Sequence, residues 1–480
     1  MLNILPKPKS LVYGYGTVGD DYVVTLKPEL PEEGYRLILN EKGIEIQYST
    51  EKGKFYAAET LDQIASQCET LPCVTVEDEP KYPYRGFMID CARHFFTVEE
   101  LKKQINVMAE LKLNKFHWHL TDDQGWRLEI KKYPLLTEKG SVRSSTRGDN
   151  KEIKGFYTAA EVKEIVKFCA DRFIEVIPEI DMPGHFTAAI ASYPDLSCHG
   201  KPMKVSERFG IHKDIACAGK DETINFCKDV LSEVAELFPS EYVHLGGDEA
   251  PKLNWYECND CRKRMEKHSL ADEKALQGWF TNEMVAHLAS LGKKAVVWND
   301  GVSENLDKTA VMQYWKQSSS TNKELLVEAG RGRQMIFSPF FYFYFDYPHG
   351  MTPLKKTFNY KVPSEIEKNV KGLEGTLWTE YVPDVNKLEL MAYPRLFALA
   401  DKAWAYDDDY TDFLVRLDVF AEFITDKFPI AVTVKPNPSF LKGKKDTLLF
   451  FLNILDRNTI KVARELRLDK RIAAKRRRKG

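Results

Sequence analysis

Two adjacent carboxylates, Asp248 and Glu249, are the residues best placed for chemistry, because they follow two glycines at the end of an apolar segment beginning at Tyr242. Neighbouring side chains of a regular strand point to opposite faces. Two adjacent acids therefore reach one ligand only where the backbone leaves strand geometry, which Gly246 and Gly247 permit. An acidic turn after a buried strand is the ordinary alternative. The pattern favours a pair of acids aimed at one ligand for acid–base or electrostatic catalysis.

Strands and helices alternate from Arg85 onward, which indicates parallel βα units. Two helices begin at capping boxes, Thr97 with Glu100 and Thr158 with Glu161. The predicted strands span 86–91, 115–120, 174–180, 242–247, 294–299, 311–315, 334–338 and 372–379. Eight such strands predict an α/β protein with a closed (β/α)8 TIM barrel, whose active site lies at the carboxyl ends of the strands.

The sequence predicts three regions along the chain. Residues 1–80 hold short β-like runs and one amphipathic helix near 56–64, as in a small α+β domain. Residues 81–405 form the catalytic barrel, and residues 406–480 a helical C-terminal extension that opens with a helix at 410–428. The extension ends in a basic tail at 464–479, which we interpret as solvated and give no function.

Composition excludes several classes of function. A net charge of −2 gives no general attraction to nucleic acid or to anionic membranes. The N-terminus lacks the pattern of a signal peptide and no 18-residue apolar run is present, so we expect a cytoplasmic protein without membrane association. Nine cysteines, an odd number, indicate reduced thiols. Cys258 and Cys261 form a CxxC without a second pair at zinc spacing, so a local structural pair is favoured over metal or redox use. No metal or cofactor is assigned.

The ends of the predicted strands carry carboxylates, one arginine, histidines and tryptophans. These residues are Arg93, His119, Asp122, Glu179, His185, Asp248, Glu249, Trp298, Trp315, Tyr344, Asp346, Trp378 and Glu380. Sugar rings offer apolar faces that stack on aromatic rings and hydroxyl groups that bind charged partners. Each residue alone has an ordinary structural explanation, such as core packing for a tryptophan. Their joint placement predicts a pyranose-binding pocket.

A family resemblance rests on six motifs. They are Arg93-His-Phe95, His117-Trp-His119, Asp122-Asp-Gln-Gly-Trp126, Pro183-Gly-His185, His244-Leu-Gly-Gly-Asp-Glu249 and Trp378-Thr-Glu380. Together they resemble the family 20 glycoside hydrolases, the β-N-acetylhexosaminidases, over residues 10–405. The resemblance implies a retaining exo-enzyme that removes terminal β-linked GlcNAc or GalNAc from the non-reducing end of an oligosaccharide or glycoconjugate. This family uses substrate-assisted catalysis, in which the 2-acetamido oxygen attacks the anomeric carbon and forms an oxazolinium intermediate.

The resemblance also assigns roles to the strand-end residues. It makes Glu249 the general acid and base, and Asp248 and Tyr344 the groups that hold the acetamide. Three tryptophans would wall the acetamide pocket: Trp298, Trp315 and Trp378. The sugar hydroxyls would be bound by Arg93, Asp346 and Glu380. Asp122 and His185 would support Glu249, with His119 and Glu179 behind them.

One departure from the family pattern concerns the leaving-group side. Many relatives carry a tryptophan after the Tyr-x-Asp motif, but here no tryptophan follows Asp346 before Trp378. His349, Tyr347 or Tyr381 could replace it. The choice between GlcNAc and GalNAc, the linkage, the natural glycan and the oligomeric state stay open.

Two rival functions are compatible with parts of the pattern. His117-x-His119 places two imidazoles on one strand face, as in metal-dependent barrel hydrolases, although it lies on the second strand and lacks the further ligands of a two-metal site. A non-enzymatic sugar-binding barrel would be expected to have lost Asp248 or Glu249, and both are present. The hydrolase is therefore the favoured interpretation.

Overall fold

The computed structural model describes residues 2–145, 151–406, 408–433 and 437–454. Its N-terminal part is a five-stranded sheet with one helix against it. The strands are β1 (Ser10–Thr17), β2 (Asp21–Leu26), β3 (Tyr35–Asn40), β4 (Gly43–Tyr48) and β5 (Pro72–Asp78), in the order β1-β5-β3-β4-β2, and the helix is α1 (Glu51–Ser66). Alternate residues of β3 and β5 are buried, as expected for a sheet covered on one face. The sequence predicted β2, β3, β4 and the middle of α1 but not β1 or β5.

Eight parallel strands close into a barrel. Its strands are β6 (Tyr84–Asp90), β7 (Lys115–Asp122), β11 (Glu175–Ile180), β12 (Tyr242–His244), β13 (Lys294–Trp298), β14 (Val311–Tyr314), β15 (Met335–Phe337) and β16 (Val370–Leu377). Three two-residue strands lie in the loops between β7 and β11: β8 (Gly125–Trp126), β9 (Val142–Arg143) and β10 (Ile153–Lys154). The circle is completed where β7 pairs with β11 and β16 pairs with β6. The predicted fold class and all eight predicted barrel strands are confirmed.

Helices surround the barrel and fill its loops. They are α2 (Val98–Glu110), α3 (Leu135–Glu138), α4 (Ala159–Ala170), α5 (Thr187–Ser192), α6 (Asp221–Leu237), α7 (Leu253–Glu257), α8 (Asn259–Lys267), α9 (Glu273–Ser290), α10 (Ser319–Gly330), α11 (Phe340–Phe343), α12 (Leu354–Phe358), α13 (Val385–Ala392), α14 (Arg395–Trp404), α15 (Tyr410–Lys427) and α16 (Phe440–Ile454). Short 3-10 turns occupy Pro194–Leu196, Asn299–Gly301 and Ser364–Asn369. Both predicted capping boxes are present, at the starts of α2 and α4.

The barrel interior changes from apolar to polar along its axis. Near the amino ends of the strands, six side chains from different strands form one apolar cluster: Tyr84, Ile177, Tyr242, Val296, Val311 and Ile336. Further along β7, His117 and His119 share the inner face, while Phe116, Trp118 and Leu120 join the core between barrel and helices. This two-residue alternation directs the polar side chains toward the carboxyl end of the barrel.

Buried ion pairs join the N-terminal sheet to the bottom of the barrel. Lys112 Nζ lies 3.0 Å from Asp78 Oδ2, and neither side chain is exposed. The Arg85 guanidinium lies 2.7 Å from Glu33 Oε2. Burial lowers the pKa of Lys112, while Asp78 opposes that shift. Because a buried charge needs a partner, these pairs fix how the N-terminal sheet is oriented against the barrel.

Two other predictions concern the ends and loops of the chain. The predicted helix at 410–428 is present as α15, whereas the basic tail at 464–479 lies outside the described residues. Cys258 and Cys261 are not the isolated local pair that the sequence indicated, because Cys198 and Cys217 lie beside them. Within the described ranges, the helices include none with the combination of length and apolarity that crossing a membrane requires.

Candidate active site

The chain leaves strand geometry directly after β12, as the two glycines predicted. Gly246 and Gly247 have φ values of +62° and +93°, and Glu249 has a φ of +45°. A Cβ on Gly246 would lie 1.9 Å from Asp181 Oδ1, so this position has no room for a side chain. The Gly247 backbone N–H donates to the same carboxylate at 2.9 Å. Asp181 thus fixes the turn that presents Asp248 and Glu249.

Asp248 is a buried acid with an unused acceptor. Its side chain is 11% exposed, and Oδ1 has no hydrogen-bond partner among the described residues. Burial raises the pKa of Asp248 to about 7; His185 opposes the shift, while Asp300 and Glu249 add to it. Removing an acceptor from water without a donor is costly. Asp248 is therefore preorganised to accept a hydrogen bond from a ligand.

Glu249 is more open than its neighbour. Its side chain is 29% exposed, and its Oε2 lies 3.8 Å from His185 Nε2. Burial raises the pKa of Glu249, although His185 opposes the shift. An elevated pKa keeps a carboxyl group protonated closer to neutral pH, as a general acid requires.

His185 connects these acids to two further carboxylates. Its Nδ1 lies 3.1 Å from Asp122 Oδ1 and 3.3 Å from Asp123 Oδ2, while Nε2 lies 3.8 Å from Asp248 Oδ2. Burial works against a charged imidazole, but Asp122 and Asp123 outweigh it and raise the pKa of His185 well above its usual value. The site therefore places a cationic imidazole between two pairs of acids.

Arg93 contacts the other carboxylate oxygen of Asp122, the one that does not face His185. One guanidinium nitrogen lies 2.7 Å from Asp122 Oδ2 and 3.9 Å from Glu380 Oε1, and another lies 3.3 Å from Asp90 Oδ2. The guanidinium stands 4.9 Å from the centre of the Trp378 ring. This arrangement holds a fork of donors beside Glu380 at the edge of the aromatic residues.

Four aromatic rings form a continuous wall beside the acids. Trp298 and Trp378 lie with ring centres 5.9 Å apart, Trp378 and Tyr344 lie 6.3 Å apart, and Tyr344 stacks on Trp315 at 5.9 Å. Burial and the nearby Asp248 carboxylate raise the pKa of the Tyr344 phenol, which stays a hydrogen-bond donor. We call these four residues the aromatic cage.

Asp346 and Glu380 lie at the rim of the cage. Burial raises the pKa of Asp346 well above its usual range, and Glu380 adds to the shift. Asp346 Oδ1 is buried and has no hydrogen-bond partner among the described residues. Like Asp248, it offers an acceptor that a polyhydroxylated ligand can satisfy.

A buried network of histidines and acids supports the site from below. Glu179 Oε2 contacts His119 Nδ1 at 2.5 Å and His117 Nε2 at 3.0 Å, and Glu179 Oε1 accepts from the Trp298 indole at 2.8 Å. The other nitrogen of His119 lies 2.9 Å from Asp122 Oδ2. Burial opposes protonation of His117, but Glu374 and Glu179 raise its pKa to about 9. Both ring nitrogens of His117 and of His119 thus face carboxylates. The HxH pattern is therefore explained by two protonated imidazoles paired with buried acids.

The structure therefore gathers all thirteen predicted site residues at one end of the barrel, and it adds others. Asp300 was missed, although it lies two residues after Trp298 at a strand end. Its carboxylate accepts from the Trp315 indole at 3.0 Å, lies 3.1 Å from Lys316 Nζ and accepts from the Glu249 backbone N–H at 3.4 Å. Asp181 was also missed, because its role depends on a turn in another loop.

The leaving-group side carries aromatic rings from distant parts of the chain. Phe450 of α16 lies with its ring centre 5.1 Å from Tyr347 and 5.7 Å from Tyr381. Tyr381 also contacts Phe209, at 5.5 Å. His349 instead bonds to the Leu390 carbonyl at 3.0 Å. The rings beside the cage are therefore Tyr347 and Tyr381, two of the three substitutes that the sequence suggested.

Adjacent acids next to an aromatic cage, at the carboxyl end of a parallel barrel, place the protein among the glycoside hydrolases. Residues 82–407 match the family described as "Glycosyl hydrolase family 20, catalytic domain", and residues 5–79 match "Glycosyl hydrolase family 20, domain 2". The chain belongs to glycoside hydrolase family 20.

Individual relatives agree with this assignment. The chain is 39% identical to a beta-hexosaminidase from Porphyromonas gingivalis over 84% of its own length, and spans 54%, about half, of that relative. It is 36% identical to a beta-hexosaminidase from Akkermansia muciniphila, with 79% of this chain and 80% of the relative covered. Among solved structures, the Vibrio harveyi GH20 exo-β-N-acetylglucosaminidase in complex with N-acetylglucosamine superposes with a TM-score of 0.82 at 29% identity, covering 91% of this chain and 79% of that one.

Proposed function

We propose that the protein is an exo-β-N-acetylhexosaminidase that removes terminal β-linked GlcNAc or GalNAc from glycans. Membership of family 20 and the names of its relatives support the activity. The unpartnered Oδ1 of Asp248 beside the aromatic cage is the observation that carries the proposal. An acetamide N–H directed at this oxygen would satisfy a buried acceptor, and the methyl group would be enclosed by rings.

The proposed reaction proceeds with retention and without an enzymatic nucleophile. The acetamide oxygen of the substrate attacks the anomeric carbon while the bond to the leaving oxygen breaks. An oxazolinium forms, and water then opens it at the same carbon. Asp248 accepts from the acetamide N–H and stabilises the positive charge that develops on the ring, while Tyr344 donates to the acetamide oxygen. The cage formed with Trp298, Trp315 and Trp378 excludes water and holds a reactive geometry.

Glu249 handles the protons in both steps. Its raised pKa keeps a proton available for the leaving oxygen. The carboxylate formed in that step then takes a proton from the attacking water, which restores the starting state. Its partly exposed side chain is compatible with access of this water. The cationic His185 with Asp122, backed by His119 and Glu179, stabilises the ionised form between the steps.

The rim residues select the sugar. Arg93 would donate to the 3- and 4-hydroxyls, and Asp346 and Glu380 would accept from the 4- and 6-hydroxyls. The unpartnered Asp346 Oδ1 and the guanidinium 3.9 Å from Glu380 support this arrangement. A terminal residue bound by so many of its hydroxyls fits an exo-acting enzyme.

A matched pair of chromogenic substrates tests the proposal. The purified full chain should hydrolyse 4-nitrophenyl N-acetyl-β-glucosaminide and leave the β-glucoside essentially intact, because the glucoside lacks the internal nucleophile. Proton NMR of the reaction should show the β-anomer first, as retention requires. Equal turnover of the two substrates would refute substrate assistance, and initial release of the α-anomer would refute retention. Absence of turnover by folded protein that still binds GlcNAc would favour a sugar-binding protein.

A further inference from the structure

Four cysteines converge at a point outside the candidate active site. Cys198 follows the 3-10 turn Pro194–Leu196, Cys217 lies in the same long loop, Cys258 directly precedes α8 and Cys261 lies in the first turn of that helix. Their sulfur atoms all lie within 4.8 Å of one another. Three of the four residues are buried and Cys198 is half-buried. The proposed glycosidase reaction uses none of them.

The distances between the sulfur atoms match those between the four ligand atoms around one tetrahedral metal ion. Cys217 Sγ lies 3.7 Å from Cys261 Sγ and 3.9 Å from Cys258 Sγ, and Cys198 Sγ lies 3.9 Å from Cys261 Sγ. With zinc–sulfur bonds of about 2.3 Å, the edges of a tetrahedron are about 3.8 Å long. A disulfide would bring two sulfurs to about 2.05 Å. An iron–sulfur cluster interposes further atoms and would hold the thiolates farther apart.

The sequence arrangement and the local electrostatics also fit a thiolate site. Two ligands form a CxxC at the start of the nine-residue helix α8, whose N-terminal end favours negative charge. The other two, Cys198 and Cys217, are brought together because Ser197 pairs with Ala216 in a short antiparallel bridge. Soft thiolate ligands select zinc among common divalent ions. The separation of the two pairs along the chain explains why no zinc pattern was visible in the sequence.

We propose that Cys198, Cys217, Cys258 and Cys261 bind one Zn²⁺ as a closed structural site. Binding requires no oxidant or reductant, since four thiols release four protons and the resulting thiolates each donate one electron pair to the ion. All four coordination positions are filled by protein, so the ion has no open position for a substrate. The site is separate from the proposed reaction and its existence can be tested without measuring turnover.

The position of this four-cysteine site suggests what the ion does. Ala216, next to Cys217, donates its backbone N–H to the Pro183 carbonyl at 2.9 Å, and its own carbonyl accepts from the Trp255 indole at 2.9 Å. Pro183 lies two residues before His185, and Trp255 lies six residues after Glu249. The loops are packed tightly, because a Cβ on Gly219 would lie 2.2 Å from the Cys261 backbone nitrogen. The ion would cross-link the two loops that carry His185 and Glu249.

Metal analysis of the purified full chain is the direct test. After purification without added metal or chelator, mass spectrometry of the elements should find about one zinc ion per chain, as a closed four-thiolate site implies. Exchange of the zinc for Co²⁺ should produce the thiolate-to-cobalt charge-transfer absorption of tetrahedral coordination. Titration with a mercurial reagent should release the zinc as the cluster thiols react. These measurements use wild-type protein and do not depend on the folding of a variant.

Substitutions then assign the ion to these cysteines. Cys198→Ser and Cys261→Ser should each lose most of the bound zinc, and they should unfold at a lower temperature. Cys227→Ser is the matched control, since Cys227 is buried but lies outside the cluster, and it should retain the zinc. Wild-type protein that carries no zinc and gives no cobalt charge-transfer band overturns the proposal. So does unchanged zinc content in both cluster variants, or detection of disulfides among the four cysteines in freshly purified protein.

Discussion

The carboxylate of Asp300 accepts a hydrogen bond from the indole N–H of Trp315 at 3.0 Å. Its second oxygen accepts from the backbone N–H of Glu249 at 3.4 Å and lies 3.1 Å from Lys316 Nζ. One half-buried side chain thus sets the position of a cage wall relative to the proposed general acid. This link joins the end of β13, the end of β14 and the turn after β12.

Asp300→Ala should therefore disturb catalysis without removing a proposed reacting group. Loss of the link frees Trp315 and the Glu249 backbone, and we expect kcat/KM for the chromogenic β-N-acetylglucosaminide to fall on the order of 10- to 10²-fold, as for a misplacement near 1 Å. Glu304→Ala is the control, because its side chain is 93% exposed. Wild-type kinetics in Asp300→Ala would show that the cage is held by other contacts.

Substitution of each paired acid should separate their roles. Asp248→Asn and Glu249→Gln should each lower kcat on the order of 10² or more, as expected for a charge stabiliser and a general acid. Glu249→Gln should retain more activity on substrates whose leaving group needs no protonation, such as dinitrophenyl glycosides. Asp248→Asn should lose activity on good and poor leaving groups alike. Equal losses for Glu249→Gln on both kinds of substrate would contradict the acid role.

The pH dependence of kcat/KM should have an acidic limb that belongs to Asp248. Burial raises the pKa of Asp248 to about 7, and the proposed mechanism needs its ionised form. Activity should therefore fall as the pH drops below about 7 and Asp248 takes up a proton. It should also fall as the pH rises and Glu249, whose pKa burial raises, loses its proton. In Asp248→Asn the residual activity should still fall as the pH rises but should lose the acidic limb; an unchanged acidic limb would assign that limb to another group.

The buried pair Lys112–Asp78 predicts a large effect on stability. Asp78→Ala leaves Lys112 buried without its counter-charge and also removes the acceptor of the Trp404 indole and the Tyr35 hydroxyl. Breaking a buried pair costs about 3–5 kcal/mol. Differential scanning calorimetry should show a clear fall in Tm for Asp78→Ala. Asp171→Ala, which breaks the exposed pair with Lys167, should leave Tm almost unchanged; equal shifts in the two variants would count against the interface role.

The sequence was sufficient to predict the barrel because its signals are local. Parallel strands are buried on both faces, so each appears as a short apolar run bounded by turn residues. The helix starts were equally readable, since the Thr97 and Thr158 capping boxes lie within four residues. Site residues could be found because barrel enzymes place them at strand ends, which the strand prediction itself located.

Residues whose importance depends on distant loops were harder to identify. Asp181 matters because Gly246 packs against its carboxylate, and no local pattern in either segment contains that relation. Phe450 reaches Tyr347 from a helix about a hundred residues later in the chain. The cluster around Cys217 joins ligands from two loops, so the sequence indicated only its CxxC half.

The sequence by itself determined the parallel barrel, the paired acids Asp248 and Glu249 and the set of residues around them, because strand periodicity, glycine pairs and strand-end motifs are short-range properties of the chain. Only the tertiary structure decided the charge states of the site residues and the distances between them. The pKa of Asp248 is raised by burial and by acids from other loops, and the Trp315 ring is held by Asp300. Electrostatic energies depend on separation and on exclusion of water, and folding fixes both by bringing together segments that are remote in sequence.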